Sequence, residues 1–259
     1  MHPRHLTGAT IAYHDVGVAR GDAAPLLLLH GFTGTARLHL GPIIDAIGAE
    51  RRVIAPDLRG YGASRPPARD FPPVFYQRVA ADMCALLDAL GLKDVHIAGF
   101  SDGGDSVLLM AATRPDLVRS VFAWGVCGVI APEMVRAVER WLPVSGWAQS
   151  RAAWRNEIIE YQGAEQLEPL IEGWVGAARA ILAAGGDTAL GSAAQIRCPV
   201  LVVNGDGEVG NPLPAAQALA ARIPHGALQI VAHSGHAIHE EQPHAFMQLL
   251  RDFLARNDP

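Results

Sequence analysis

This chain of 259 residues has no apolar run near the ~20 residues that a membrane-spanning helix requires. It has no basic cluster, and its formal net charge is −5, which argues against nucleic acid or an anionic membrane surface as partners. Its first residues, Met1-His2-Pro3-Arg4-His5, begin no apolar h-region, so we expect no signal peptide and a cytoplasmic protein. Cysteine is scarce: Cys84, Cys127 and Cys198 are odd in number and form no C-x-x-C pair. A disulfide framework is thereby excluded, and buried free thiols are expected. No internal repeat or low-complexity linker divides the chain, whose length fits one domain with an insertion.

Half of the residues are hydrophobic, enough for a core that needs no covalent staple at this length. The alternation over 10–15 reads as an edge strand. Pro25-Leu26-Leu27-Leu28-Leu29-His30 is apolar without interruption, the pattern of a strand buried on both faces of a parallel sheet. Further strands are expected at 52–55, 95–98, within 117–126, at 199–203 and at 227–231. Helical spacing covers 76–90, where Val79, Met83, Leu86, Leu87 and Leu90 form one stripe, and recurs at 102–114, 214–222 and 245–255. Strands alternating with helices imply a parallel sheet covered on both faces, an α/β fold. Residues 131–195 break the rhythm with a purely helical pattern that holds Trp141, Trp147, Trp154 and Trp174. We read them as a helical cap inserted into a core made of 1–130 and 196–259, with one or two of the tryptophans facing a substrate pocket.

Gly99-Phe100-Ser101-Asp102-Gly103-Gly104 joins the strand at 95–98 to the helix at 102–114. A G-x-S-x-G in that setting is a nucleophile elbow, in which the serine hydroxyl stands clear of a strained turn. The residues two before and two after the serine then meet, and Gly99 and Gly103 have no side chain to clash. A serine hydroxyl needs a base, and the base needs an acid to orient it. His236, in Ser234-Gly235-His236, follows the last short strand and is the candidate base. Candidate acids lie in Gly205-Asp206-Gly207-Glu208, after the strand at 199–203. The chain order serine, acid, histidine is that of hydrolases with this topology.

With these residues in view, the chain resembles the α/β-hydrolase fold superfamily along nearly its whole length. His30-Gly31-Phe32-Thr33-Gly34 is similar to its H-G-x-x-G oxyanion loop, and Asp57-Leu58-Arg59-Gly60-Tyr61-Gly62-Ala63-Ser64 to its D-x-R-G-x-G-x-S loop. The resemblance implies an eight-stranded, mostly parallel sheet flanked by helices, with the cap after strand 6. Ser101-Asp102-Gly103-Gly104, Trp124-Gly125 and Gly173-Trp174-Val175 are similar to the valacyclovirase-like (biphenyl-hydrolase-like) branch. There the family's usual G-x-x-D stands as Gly205-Asp206-Gly207-Glu208, so register puts Glu208 at the acid, with Asp206 as its rival. The resemblance implies an oxyanion hole made by the amides of Phe32 and Asp102. It also implies that Asp102 and Trp124 contact substrate, Asp102 as a receptor for a substrate ammonium. The other reading of Asp102 is that it complements the dipole of the helix it begins.

Two other patterns mislead. Gly205 to Gly210 spells G-x-G-x-x-G, but Asn211-Pro212 follow it and no acid stands about 20 residues on, so no dinucleotide site is expected. His233, His236 and His239 lack the spacing of a zinc-binding helix; we expect His233 and His239 to line the loop or face solvent, and neither metal nor cofactor to take part. The expected activity is hydrolysis of a small-molecule carboxylic ester, an α-amino ester among the candidates, through an acyl-enzyme. Cleavage of a C–C bond or an enol-lactone by the same residues is the alternative, and a non-catalytic ligand-binding protein is the alternative of another class.

Overall fold

The computed structural model describes residues 1–6, 8–18 and 21–259. Its strands are β1 (His2–Leu6), β2 (Ala9–Val16), β3 (Leu26–Leu29), β4 (Val53–Pro56), β5 (Val95–Phe100), β6 (Val118–Trp124), β7 (Val200–Gly205) and β8 (Gly226–Val231). They form one sheet in the order β1-β2-β4-β3-β5-β6-β7-β8. β2 pairs antiparallel with β1 and β4, and every other pairing is parallel. The strand expected at the edge is therefore not there. β1 pairs with β2 from His2↔Tyr13 to Leu6↔Ala9 and takes the edge, a pairing that the polar sequence of β1 hides.

The leucines of β3 show how the sheet is covered. Leu27 and Leu29 join the apolar cluster on one face, and Leu26 and Leu28 the cluster on the other, as the two-residue period of a strand requires. Helices α1 (Ala36–Gly48), α2 (Phe75–Leu90) and α3 (Asp102–Thr113) supply these covers, α2 and α3 on the first face and α1 on the second. The α2 stripe packs as its spacing predicts, with Val79, Met83, Leu86 and Leu87 at most 2% exposed. Burying one such side chain contributes about 1.5–3 kcal/mol. The pattern reading places no element over α1, because Gly41-Pro42 interrupts it. Thr35 starts this helix, its hydroxyl accepting from the Leu38 N–H at 3.1 Å, and Pro42 is carried inside.

Between β6 and β7 the chain is helical: α4 (Pro132–Glu139), α5 (Trp147–Ser150), α6 (Ala152–Gln162) and α7 (Leu167–Ala183). Gly185 and Gly186, with φ of 109° and 81°, end α7 and return the chain, and Ile130 donates to the Gly186 carbonyl at 2.7 Å. After β7 come α8 (Leu213–Arg222), α9 (Ile238–Glu241) and α10 (Pro243–Asn257), the last packing Phe246, Leu250 and Phe253 onto the second face. No helix among the described residues is long and apolar enough to cross a membrane.

Candidate active site

The site lies at the carboxyl ends of β3, β5, β7 and β8. Ser101 stands between β5 and α3 at φ 54°, ψ −119°, a left-handed conformation that costs a non-glycine residue about 1–3 kcal/mol. Three backbone bonds hold it there: its N–H donates to the Trp124 carbonyl at 2.9 Å, and its own carbonyl accepts from Gly104 and Asp105. The elbow closes as tightly as expected. A Cβ at Gly99 would lie 2.3 Å from the Gly103 oxygen, and one at Gly103 2.6 Å from the His30 oxygen. The glycines are a steric requirement of the turn.

The loop after β8 brings His236 to this serine, with Nε2 3.1 Å from the Ser101 Oγ. On its far side Nδ1 is 2.6 Å from the Glu208 Oε2. The Glu208 side chain is 4% exposed, and its other oxygen accepts from the N–H groups of Gly210 at 2.7 Å and Asn211 at 3.2 Å. Burial pushes the Glu208 carboxyl up, but the hydrogen bond and charge of His236, helped by Asn211 and Gly210, outweigh this and hold it below the usual range. An ionised carboxylate only accepts, so Nδ1 carries the proton and Nε2 presents its lone pair to the Ser101 hydroxyl. Asp206, the rival acid, is exposed, and its carboxylate accepts from the Ser234 N–H at 3.3 Å rather than reaching His236.

The loop 30–34 passes over the elbow, so that a Cβ on Gly31 would lie 3.1 Å from the Ser101 Cβ. The N–H groups of Phe32 and Asp102 have no protein acceptor among the described residues. His30 braces this loop, accepting the Leu58 N–H on Nε2 at 2.9 Å and donating from Nδ1 to the Gly31 carbonyl at 2.8 Å. Burial, the largest influence, pulls its imidazole down to about 4 and keeps it neutral. The 57–64 loop is scaffolding. Asp57 accepts from Ala36 and Ala63, Arg59 pairs bidentately with Asp82 at 2.6 Å, and Ser64 donates to the Asp57 carbonyl.

A cavity of about 430 Å³ opens over Ser101, His236 and Glu208. Phe32 and three tryptophans, Trp141, Trp154 and Trp174, line it, one tryptophan more than expected. Trp147 is 1% exposed and packs behind Trp154. Three expectations need correction. Trp124 does not reach the cavity; it is fully buried beside Phe100 and Phe246 and donates to the His239 Nδ1 at 3.1 Å, because its place on β6 turns the indole to the second sheet face. His239 faces neither loop nor solvent but is the buried partner of that bond, whereas His233 is exposed. The Asp102 carboxylate is likewise outside the cavity lining, 5% exposed, accepting from the Tyr76 hydroxyl at 3.0 Å and from the Trp174 indole N–H at 3.1 Å.

Sequence reasoning missed His39, which lines the cavity from α1, and Asn211, whose side chain donates to the Gly125 carbonyl at 3.0 Å. Asn211 follows Glu208 by three residues, the spacing at which a turn returns a backbone N–H to a carboxylate, and this was a readable sign.

The Alpha/beta hydrolase family profile matches residues 26–249. Serine hydrolase BPHL of Mus musculus is 31% identical over 251 residues, 96% of this chain and 84% of that protein. The 2-hydroxymuconate semialdehyde hydrolase of Pseudomonas putida is 28% identical over 258 residues, 92% of this chain and 90% of its own. Among solved structures, the enol-lactonase from Burkholderia xenovorans LB400 superposes with a TM-score of 0.75 at 21% identity, covering 98% of this chain and all of that one.

Proposed function

Because the chain belongs to the alpha/beta hydrolase family and is a hydrolase, we propose that it cleaves a small carboxylic ester through an acyl-enzyme on Ser101. The supporting observation is the unbroken relay from the Ser101 Oγ to the His236 Nε2 at 3.1 Å and from Nδ1 to the Glu208 Oε2 at 2.6 Å. His236 takes the serine proton as Oγ attacks the ester carbonyl, and Glu208 stabilises the imidazolium that forms. The N–H groups of Phe32 and Asp102 receive the oxyanion, each worth about 3–4 kcal/mol in the transition state. The imidazolium then gives its proton to the departing alcohol, and a water repeats the sequence on the acyl-serine. Glu208 is the acid in this reading, and Asp206 shapes the turn beside it. Residues 131–195 act as a helical cap over a body formed by 1–130 and 196–259.

A second reading, cleavage of a C–C bond by the same three residues, draws support from the likeness to the 2-hydroxymuconate semialdehyde hydrolase. A panel of carboxylic esters varied in acyl group, run beside labelling with a fluorophosphonate, tests the proposal. Turnover of esters, with labelling that disappears in Ser101→Ala, is expected. Labelling without turnover of any ester favours the second reading, and well-folded protein without labelling favours a ligand-binding protein.

A further inference from the structure

One end of the cavity is the loop 207–211, against which the Met134 methyl lies 3.8 Å from where a Gly210 Cβ would be. The other end is aromatic. Phe32 and Trp141 stack with centroids 5.9 Å apart at 7°, Trp141 meets Trp154 edge-on at 5.0 Å, and Trp174 leans on Phe32 at 5.4 Å. Rings this close touch one another, so they form a continuous wall rather than a box with room for a cation between faces.

The wall has little charge to offer. Among the described lining residues the only carboxylate is Glu208, which is committed to His236, and there is no lysine or arginine. Burial keeps the lining imidazole of His39 neutral, pulling it down to about 3. The Asp102 carboxylate lies outside the lining, and the Trp174 indole, which both lines the cavity and donates to that carboxylate, stands between them. The Tyr76 hydroxyl and the Trp174 N–H donate into this carboxylate; burial raises the Asp102 carboxyl above the usual carboxylate range, and the Arg69 charge and these two bonds oppose that rise.

Reaction chemistry assigns the two ends. His236 must hand its proton to the leaving oxygen, so the alcohol lies toward His236 and the loop 207–211. The acyl group then extends to the aromatic wall. Building on the ester-hydrolase reading, we infer that Trp174 is a specificity gate: its indole shuts the Asp102 carboxylate out of the acyl pocket, so the enzyme selects neutral aromatic or bulky apolar acyl groups over α-ammonium ones. An ammonium pressed against this wall loses its water and finds no partner, whereas an aryl group buries apolar area against three indoles.

The test compares ethyl 3-phenylpropanoate with phenylalanine ethyl ester at pH 6.5, where the amine is mostly protonated. The two differ only in that group. The wild type should favour the neutral ester by about 30-fold or more in kcat/KM. Trp174→Ala, which opens the pocket to Asp102, should cut that preference by at least about tenfold, and adding Asp102→Asn should restore it. Labelling by a fluorophosphonate reports whether each variant keeps a formed site. Should Trp174→Ala lose labelling, Trp174→Phe serves instead; it lacks the indole N–H but keeps a ring, and should shift the ratio the same way by a smaller factor. A wild type that favours the ammonium ester, or a labelled Trp174 variant with an unchanged ratio, overturns the inference. Turnover of other esters without the 3-phenylpropanoate overturns it alone, whereas absence of both labelling and ester turnover in the wild type removes the ester-hydrolase reading beneath it.

Discussion

The strand-end loops and the helices between β6 and β7 furnish the two halves of the site in different ways. In the loops, backbone does the holding. Ser101 is fixed by three main-chain bonds, Glu208 by the N–H groups of Gly210 and Asn211, and the loop 30–34 by His30 between Gly31 and Leu58. The helices contribute side chains only. Trp141, Trp154 and Trp174 reach the cavity, and hydrogen bonds tie this region to the loops through a few residues: Trp154 to the Thr33 hydroxyl, Trp174 to Asp102, and Gln162 to the Thr33 and Gly34 carbonyls, the Gly62 N–H and Arg65. A group held by backbone geometry moves only if the turn itself breaks. A group presented on a helix face changes with one substitution. In the proposed reading, chemistry and substrate choice are thus separable, with Phe32 and Asp102 at the seam.

The sharpest way to break this division is at the nucleophile. Ser101→Ala should lower kcat/KM by about 10⁶ while leaving thermal unfolding intact or slightly improved, since alanine in the same strained turn loses only the hydroxyl. Steady-state kinetics beside calorimetry checks both halves of that statement. Next, Glu208→Gln should lower kcat by about 10⁴, because an amide no longer fixes the His236 tautomer or balances its charge. Asp206→Asn should stay within a few-fold of wild type, as backbone N–H groups of its own turn, Ser234 among them, hold that carboxylate away from His236. Comparable losses in the two variants would dissolve the assignment of the acid.

Acid should weaken the fold through three histidines outside the helices between β6 and β7. Burial, first among the causes in each case, lowers His30 to about 4 and His39 and His239 to about 3, from an ordinary 6.5. Between pH 6.5 and about 4 the unfolded chain binds these protons and the folded chain does not. Stability is therefore fully present above 6.5 and falls as the pH drops, by about 1.4 kcal/mol per pH unit for each histidine. Asp105, which burial raises to about 7, acts in the opposite sense over the same interval, so the melting temperature should decline by less than the three histidines alone imply, and His39→Asn should make the decline shallower. The smallest effect belongs to the joint between the two regions. Gln162→Met removes the bonds to Thr33, Gly34 and the Gly62 N–H, leaving polar groups unpaired at a cost of about 2–4 kcal/mol. A fall in melting temperature with a larger change in KM than in kcat would mark the helices as the part that slipped.

What the sequence revealed follows the same division. That Ser101, His236 and a carboxylate after β7 come together was legible because a turn of this kind demands particular residues at fixed spacing: glycines at 99 and 103 with a serine between them. The parallel strands were legible in their unbroken apolar runs. β1 was not, because an exposed edge strand needs no apolar face and His2–Leu6 has none to show. α1 escaped because a proline in its middle contradicts a local rule that the packing of Leu40, Ile43, Ile44 and Ile47 overrides. The tryptophans were visible as a group, but which of them face the cavity depends on how four short helices stack. Trp124 and Asp102 were misjudged for a related reason. Both stand beside Ser101 in sequence or space, yet the direction of a side chain from a strand end or a first helical turn is set by its neighbours, here His239 for one and Trp174 and Tyr76 for the other.

The central claim is that ester cleavage passes through an acyl group on Ser101. Rapid acid quench of the enzyme with a slowly deacylating aryl ester, followed by intact-protein and peptide mass spectrometry, tests it most directly. The account predicts a mass gain equal to the acyl group, located on the peptide that carries Ser101, formed at the rate of the alcohol burst and lacking in Ser101→Ala. Alcohol release with no adduct on that peptide, or hydrolysis that persists in Ser101→Ala, would contradict it.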